Sequence, residues 1–229
     1  IFENIDHIVN DVKQLDITQP MYIDGELFTF DLPFEEISGL CRKQEKMEKT
    51  KLLEFHIFDI FDSAHLDVPF SERMRELNRI KDQVKNKKLS SLKMVDTVVC
   101  KDRNFMLEYH QECITNAYEG VILRNMDCPY QPNYRNKHLQ KYKEFVDEEF
   151  DIVGAESGVG LEKDCAIFTC KNKDDKEFAV RPRGSRELRK EYLVNIESLI
   201  GKKLTVRYQN LTESGIVRFG VGISIRDYE

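Results

Sequence analysis

A chain of 229 residues, 41% apolar and 33% charged with no Trp, has the make-up of a folded globular protein and room for one or two domains. Its formal net charge of −6 excludes a protein that binds nucleic acid by bulk positive charge alone, while local basic faces stay compatible with it. Six cysteines (Cys41, Cys100, Cys113, Cys128, Cys165 and Cys170) form no C-x-x-C pair and read as reduced thiols of an intracellular, non-secreted protein without a zinc site. No run approaches the length of a membrane span and no signal peptide is visible, so no membrane partner is expected.

The chain opens without Met, on IFENIDHIVNDVKQL, which suits an N-terminally incomplete protein. There Ile5, Ile8, Val9 and Val12 fall at helical spacing. MYIDGELFTF (21–30) alternates as a strand. PFEEISGLCRKQEK (33–46) opens with Pro and spaces Phe34, Ile37 and Leu40 as a helix. LLEFHIFDIF (52–61) is an aromatic, β-branched strand with Phe55, Ile57 and Asp59 on one face and His56, Phe58 and Ile60 on the other. Residues 71–88 predict a polar helix capped by Ser71, with a basic end. A strand over 93–100, a helix over 102–116 and strands over 119–125 and 138–145 follow. Beyond them come five short strands (150–157, 165–170, 177–182, 203–211, 217–226), with one helix (185–200) between the third and fourth. That layout predicts an OB-like barrel. The fold class is α+β, with domains at 1–147 and 148–229.

Charges in three of the early strands carry the chemistry. Residues i and i+2 of a strand share a face, so Asp24 and Glu26 project together, unless Asp24-Gly25 is a hairpin turn. Glu119 heads the apolar run of YEGVILRN, where an acid before Gly also suits a turn. Lys141 and Lys143 share a face of LQKYKEF and suit a solvated strand equally well. Converging on one sheet face, three acids and two lysines make a mixed pocket. The acids would hold Mg²⁺ and ribose hydroxyls, and the lysines a phosphate. Such a pocket suits phosphoryl or nucleotidyl transfer, where catalysis is mostly positioning and charge neutralisation.

In this order the elements resemble the ATP-dependent polynucleotide ligases of the covalent nucleotidyltransferase superfamily. YIDGELF is similar to their Asp-Gly-Glu element, FHIFDIF to their aromatic strand, YEGVILRN to their Glu-Gly-Val-x-Leu-Arg element and LQKYKEF to their Lys-x-Lys element. VRFGVGISIRDYE resembles the C-terminal element of the ligase OB domain, and the resemblance runs over about residues 20–229. It implies a nucleotidyltransferase (adenylation) domain with antiparallel sheets, followed by an OB-fold β-barrel. It implies that Asp24 and Glu26 hold the ribose, with Glu26 and Glu119 linked to metal. Phe58 would stack on adenine, although an aromatic strand also fills a core. Lys141 and Lys143 would contact the α-phosphate, and Arg226 the leaving phosphates. The implied activity is nick sealing by a DNA ligase in repair, replication or recombination, with ATP and Mg²⁺ as cofactors and nicked double-stranded DNA as partner. The protein would act as a monomer in the cytoplasm, the nucleus or a viral replication site.

The sequence departs from that family pattern in two places. No Lys-x-Asp-Gly nucleophile element occurs in the 229 residues, so this chain alone is not expected to adenylate itself. Gly220 stands where the tail often has Pro, and Glu229 where it often has Lys. Basic residues at RPRGSRELRK (181–190), Arg181, Arg183 and Arg186 among them, suit backbone phosphates at a helix N-terminus or a solvated face. The stretch 81–93 is open to the same two readings. An RNA ligase, a capping-type nucleotidyltransferase and a catalytically inactive nucleic-acid-binding chain remain alternatives.

Overall fold

The computed structural model describes residues 2, 4–43, 47–134, 136–212 and 214–227. The chain divides into two compact units, Ile1–Lys141 and Tyr142–Glu229, somewhat before the boundary expected after residue 147.

In the first unit, α1 (Asp6–Val12) turns Ile8 into the core and leaves Val9 on the surface. Next come β1 (Tyr22–Phe28) and α2 (Phe34–Arg42). The helix expected to reach residue 46 stops at Arg42, where the Lys43 amide turns back to the Leu40 carbonyl at 3.3 Å and the Asn4 amide donates to the carbonyls of Leu40 and Lys43 at 2.8 and 2.7 Å. Residues 44–46 lie outside the described residues. After a 3₁₀ turn, β2 (Glu54–Phe61) leads into α3 (Phe70–Lys87) and β3 (Leu92–Met94). Ser71 does not cap α3. Pro69 holds the N-cap position, and the amides of Phe70 and Ser71 donate instead to the carbonyls of Cys128 and Met126 at 3.0 and 2.8 Å.

β1 pairs antiparallel with β2, and β2 pairs parallel with β3, α3 supplying the crossover. Ile8, Ile37, Leu40, Leu53, Ile57, Ile60, Leu77, Ile80 and Leu92 form the core beneath the sheet. The strand expected over 93–100 ends at Met94. Val95 closes the ladder by donating to Ile57, and Asp96 turns away to Lys81 at 3.2 Å. Asp24-Gly25 is no hairpin turn; it lies inside β1.

α4 (Arg103–Thr115), capped by Asp102, delivers the chain to β4 (Val121–Arg124), which pairs with β5 (Leu139–Tyr142) as a separate two-stranded sheet. The expectation that all the charged strands share one sheet face is therefore corrected. β1 belongs to one sheet and β4–β5 to another.

In the second unit, β6 (Val146–Ser157), β7 (Ala166–Lys171), β8 (Glu177–Pro182), β9 (Lys203–Tyr208) and β12 (Val221–Arg226) close into a barrel in the order β12-β8-β7-β6-β9. Alternation sends Phe178, Val180 and Pro182 of β8 inward and leaves Glu177, Ala179 and Arg181 outside. α5 (Arg186–Val194), capped by Ser185, sits between β8 and β9. It ends before the expected residue 200, and a 3₁₀ turn at Ile196–Ser198 takes over. The last two expected strands each break in two. β10 (Asn210–Leu211) and β11 (Val217–Arg218) form a small hairpin of their own. The break falls at Phe219, with φ +54°, and Gly220, where an added Cβ would come within 2.6 Å of Val217.

The exit of α4 sets where Glu119 stands. Ala117 takes φ +64°, and the Tyr118 amide donates back to Cys113 at 3.0 Å, a left-handed cap that suits glycine. A Cβ in that conformation costs about 1–2 kcal/mol, of which the greater unfolded-state entropy of glycine offsets about 0.4–1. Ala117→Gly should therefore stabilise the first unit by about 0.5–1 kcal/mol, read as a higher urea midpoint at unchanged slope. A lower midpoint would show that Ala117 is not strained.

Candidate nucleotide site

β1 turns Ile23 and Leu27 toward the core, so Asp24 and Glu26 occupy its other face. The Asp24 Oδ2 accepts a hydrogen bond from the Tyr130 hydroxyl at 2.6 Å. Glu26 is exposed and lies directly across from His56. His56 Nε2 and a Glu54 carboxylate oxygen are 3.1 Å apart, and Lys93 Nζ reaches the other Glu54 oxygen at 3.1 Å.

The register between β1 and β2 skips one residue. Asp24 pairs with Asp59 and Gly25 with Ile57, leaving Phe58 as the unpaired residue of a bulge. Gly25 is needed there, since an added Cβ would lie 2.6 Å from both the His56 carbonyl and the Phe55 ring. The bulge corrects the simple alternation expected for β2. Ile57 and Ile60 both enter the core, Asp59 leaves the Phe55 face, and half-buried Phe58 stays out of the core cluster.

Asp59 is 2% exposed, and the sequence alone assigns it no role. Its Oδ1 accepts from Arg73 Nε at 2.8 Å and from the Ile60 amide at 2.8 Å. Its Oδ2 accepts from Arg73 Nη2 at 2.9 Å and Arg124 Nη1 at 2.5 Å. Arg73, 5% exposed, spends its remaining donor on the Val68 and Cys128 carbonyls, at 2.6 and 3.1 Å. The Arg124 guanidinium lies 4.3 Å from the Phe70 ring centroid, and that of Arg73 lies 5.6 Å from Tyr130. The signal available in the sequence was an acid inside an aromatic strand, since a buried carboxylate must be paired. No spacing rule points to Arg73 as the partner.

Glu119 is exposed and stands just before β4, next to Tyr118. The Tyr118 ring meets Phe30 edge-on at 5.4 Å, and both Phe30 and Phe28 meet the His56 ring. These ring pairs bring the Glu119 turn to the end of the sheet where Glu26 faces His56. Lys141 is exposed on β5, and Lys143 follows one residue beyond that strand. Among the described residues, no three His, Cys, Asp or Glu side chains form a ready metal cage, so Asp24, Glu26 and Glu119 do not converge as a preformed triad.

On the barrel, Arg226 Nε donates to Thr205 Oγ1 at 3.0 Å and lies 3.6 Å from a Glu149 oxygen. Arg181 is fastened to Glu162 at 3.0 Å, and the other Glu162 oxygen takes Arg189. The two guanidiniums, Arg189 foremost, hold the Glu162 carboxyl down at about 2. Arg189 itself is buried, so the basic stretch 181–190 is partly structural. Arg183 is exposed at the end of β8, and Arg186 spans to the Lys163 carbonyl at 3.4 Å.

A family profile described as ATP dependent DNA ligase domain matches residues 2–143, and one described as DNA ligase OB-like domain matches residues 160–226. A DNA ligase of African swine fever virus (isolate Pig/Kenya/KEN-50/1950) is 31% identical over 224 residues, covering 92% of this chain and 52% of the viral protein. A DNA ligase of Haemophilus influenzae is 27% identical over 206 residues, covering 87% of this chain and 70% of that protein. The chain spans about half the length of the African swine fever virus relatives it matches. Among solved structures, one of the Lig E DNA ligases superposes with a TM-score of 0.71 at 21% identity, over 89% of this chain and 76% of that one. A structure named Pmar-Lig_Pre. superposes with a TM-score of 0.78 at 18% identity, over 100% of this chain and 57% of that one. At these identities the likeness to the solved structures is one of fold. The ligase profile over the sheet unit and the OB-like profile over the barrel agree with one another: the chain belongs to the ATP-dependent DNA ligase family.

Proposed function

We propose that this chain is the catalytic core of a nick-sealing DNA ligase that uses ATP and Mg²⁺. The observation that carries the reading is the pair Asp24 and Glu26 on the face of β1 turned away from the core, beside the bulge that keeps Phe58 out of it. Carboxyl side chains on a sheet face suit ribose hydroxyls and a hydrated cation, and an aromatic ring outside the core suits a base.

In this reading Asp24 and Glu26 hold the ribose, and Phe58 stacks on adenine. Lys141 and Lys143 neutralise the α-phosphate, and Arg226 acts on the leaving phosphates. Mg²⁺ keeps several waters and needs only one or two carboxylates, so Glu26 and Glu119 suffice to hold it without a preformed cage. When bound, it supplies charge neutralisation at the phosphates. A lysine amine attacks the α-phosphorus of ATP and pyrophosphate leaves. AMP then passes to a 5′-phosphate at the nick. Finally the 3′-hydroxyl attacks that phosphate, AMP departs and the strand is sealed. No Lys-x-Asp-Gly occurs in the 229 residues, so in this reading the attacking lysine is not one of them. Lys141 and Lys143 serve as cations, and a protonated ammonium cannot attack. The reaction places the protein inside the cell, and it acts as a monomer on nicked duplex DNA.

Exposed Arg183 and Arg186 would contact DNA phosphates, while Arg181, committed to Glu162, fastens the loop between β6 and β7. Contacts of this kind read no sequence, as nick sealing requires.

Two measurements test this reading. With α-labelled ATP and Mg²⁺, the 229-residue chain should form no covalent adduct. The same chain extended with a Lys-x-Asp-Gly segment should form one, and Glu119→Ala should cut its rate at least about a hundredfold while the fold stays intact, as expected for a group that acts through charge at the reacting phosphate. An adduct on the chain alone, or full labelling of the variant, would overturn the site assignment. Separately, Arg183→Ala/Arg186→Ala should weaken binding to nicked duplexes of every sequence alike and lower the salt slope by about 2, roughly one unit for each phosphate no longer neutralised. An unchanged slope would make these two arginines a solvated face.

A further inference from the structure

Tyr130 has no place in the proposed chemistry, yet its hydroxyl makes the 2.6 Å hydrogen bond to Asp24. The ring is held from several sides. It stacks on Phe61 at 3.7 Å between centroids, Phe61 in turn stacks on Tyr22 at 5.1 Å, and the Arg73 guanidinium lies 5.6 Å from the Tyr130 centroid. Its backbone is pinned as well, the Tyr130 amide donating to Leu66 at 2.9 Å. Two residues earlier, the Cys128 carbonyl takes the Phe70 amide and Arg73 Nη1. A ring fixed on this scale leaves its hydroxyl one place to point.

Burial, then the hydrogen bond to Asp24, raises the Tyr130 hydroxyl above its ordinary value, so it stays protonated at working pH. It can therefore only donate to the carboxylate. A hydrogen bond of this kind, with a charged acceptor, both orients the carboxylate and occupies Oδ2. The Oδ1 is left to accept from a ligand hydroxyl.

We propose that Tyr130 is the positioning residue that sets the preference of this pocket for a ribonucleotide, by fixing Asp24 in the rotamer that accepts a sugar hydroxyl. This rests on the reading of Asp24 as a ribose ligand. Without the Tyr130 hydroxyl, Asp24 would rotate among solvated rotamers, and the sugar hydroxyl it accepts would gain little over water, leaving the ribose to Glu26. The adenine and phosphate contacts would not change. Loss of one oriented, charge-assisted hydrogen bond amounts to about tenfold in affinity.

The test is equilibrium dialysis of the 229-residue chain with Mg²⁺ and either ATP or 2′,3′-dideoxy-ATP. The unaltered chain should prefer ATP by at least about tenfold, and Tyr130→Phe should lose about tenfold of that preference, keeping only what Glu26 supplies, with its dideoxy-ATP affinity unchanged. Tyr130→Phe keeps the ring stack, and an unchanged thermal midpoint together with unchanged dideoxy-ATP affinity separates positioning from damage to the fold. If the unaltered chain prefers ATP and Tyr130→Phe keeps that preference undiminished, the proposal fails while Asp24 remains a ribose ligand. If the unaltered chain shows no preference, or binds neither nucleotide, the ribose reading fails and takes the proposal with it. A lowered affinity for both nucleotides in Tyr130→Phe also overturns it, since that would mark a structural role.

Discussion

The buried carboxylate of Asp59 is the point on which the first unit turns. It accepts from two guanidiniums and a backbone amide, one arginine from α3 and the other from β4. The sheet, the crossover helix and the β4–β5 sheet are thereby fastened to one another at a single pair of oxygens. Charge of this kind is costly to bury and is retained only when each donor and acceptor finds its partner. Here the pairing has a geometric product. Asp59 lies directly across from Asp24, so whatever fixes Asp59 also fixes the strand that presents the candidate ribose ligands. Arg73 extends the network through Cys128 to the loop that carries Tyr130, and Tyr130 closes it on Asp24.

The bulge at Phe58 depends on the same arrangement. An uninterrupted strand would keep Ile60 off the face that carries Ile57, and so out of the core beneath the sheet. One extra residue lets both isoleucines enter the core while Asp59 takes up its partners. Gly25 makes room across the ladder, which is why the Asp-Gly dipeptide is found in mid-strand and not in a turn.

Much of this was legible from the chain alone. Period-2 and helical patterns located the main elements, and the barrel could be read from five short strands and the place of α5. The limits have physical causes. Strand ends depend on where backbone donors find other partners, as when Val95 reaches Ile57 and Asp96 leaves for Lys81. The carbonyls at the α2 terminus are met by Asn4, far away in sequence. The grouping of strands into sheets is a matter of long-range pairing, which no local pattern encodes. At the site, Asp24, Glu26 and Phe58 stood out because their residue types fit a known order of elements. Asp59, Arg73, Arg124 and Tyr130 did not, because each draws its role from partners well separated along the chain. The basic stretch 181–190 looked uniform in sequence, yet Glu162 draws Arg181 and Arg189 into structural duty and leaves Arg183 outside.

The claim that Asp59 organises the first unit is tested most directly by residue-resolved amide hydrogen exchange on Asp59→Ala. Removing the carboxylate leaves two guanidiniums without their counter-charge, one of them buried, and breaking a buried pair in this way costs about 3–5 kcal/mol. Protection in β1, β2 and the first turn of α3 should fall by more than about a hundredfold, while the barrel amides of β7 and β8 keep theirs. Unchanged protection in β1 and β2 would show that apolar packing alone holds the sheet, and that the ion network is not what positions the site.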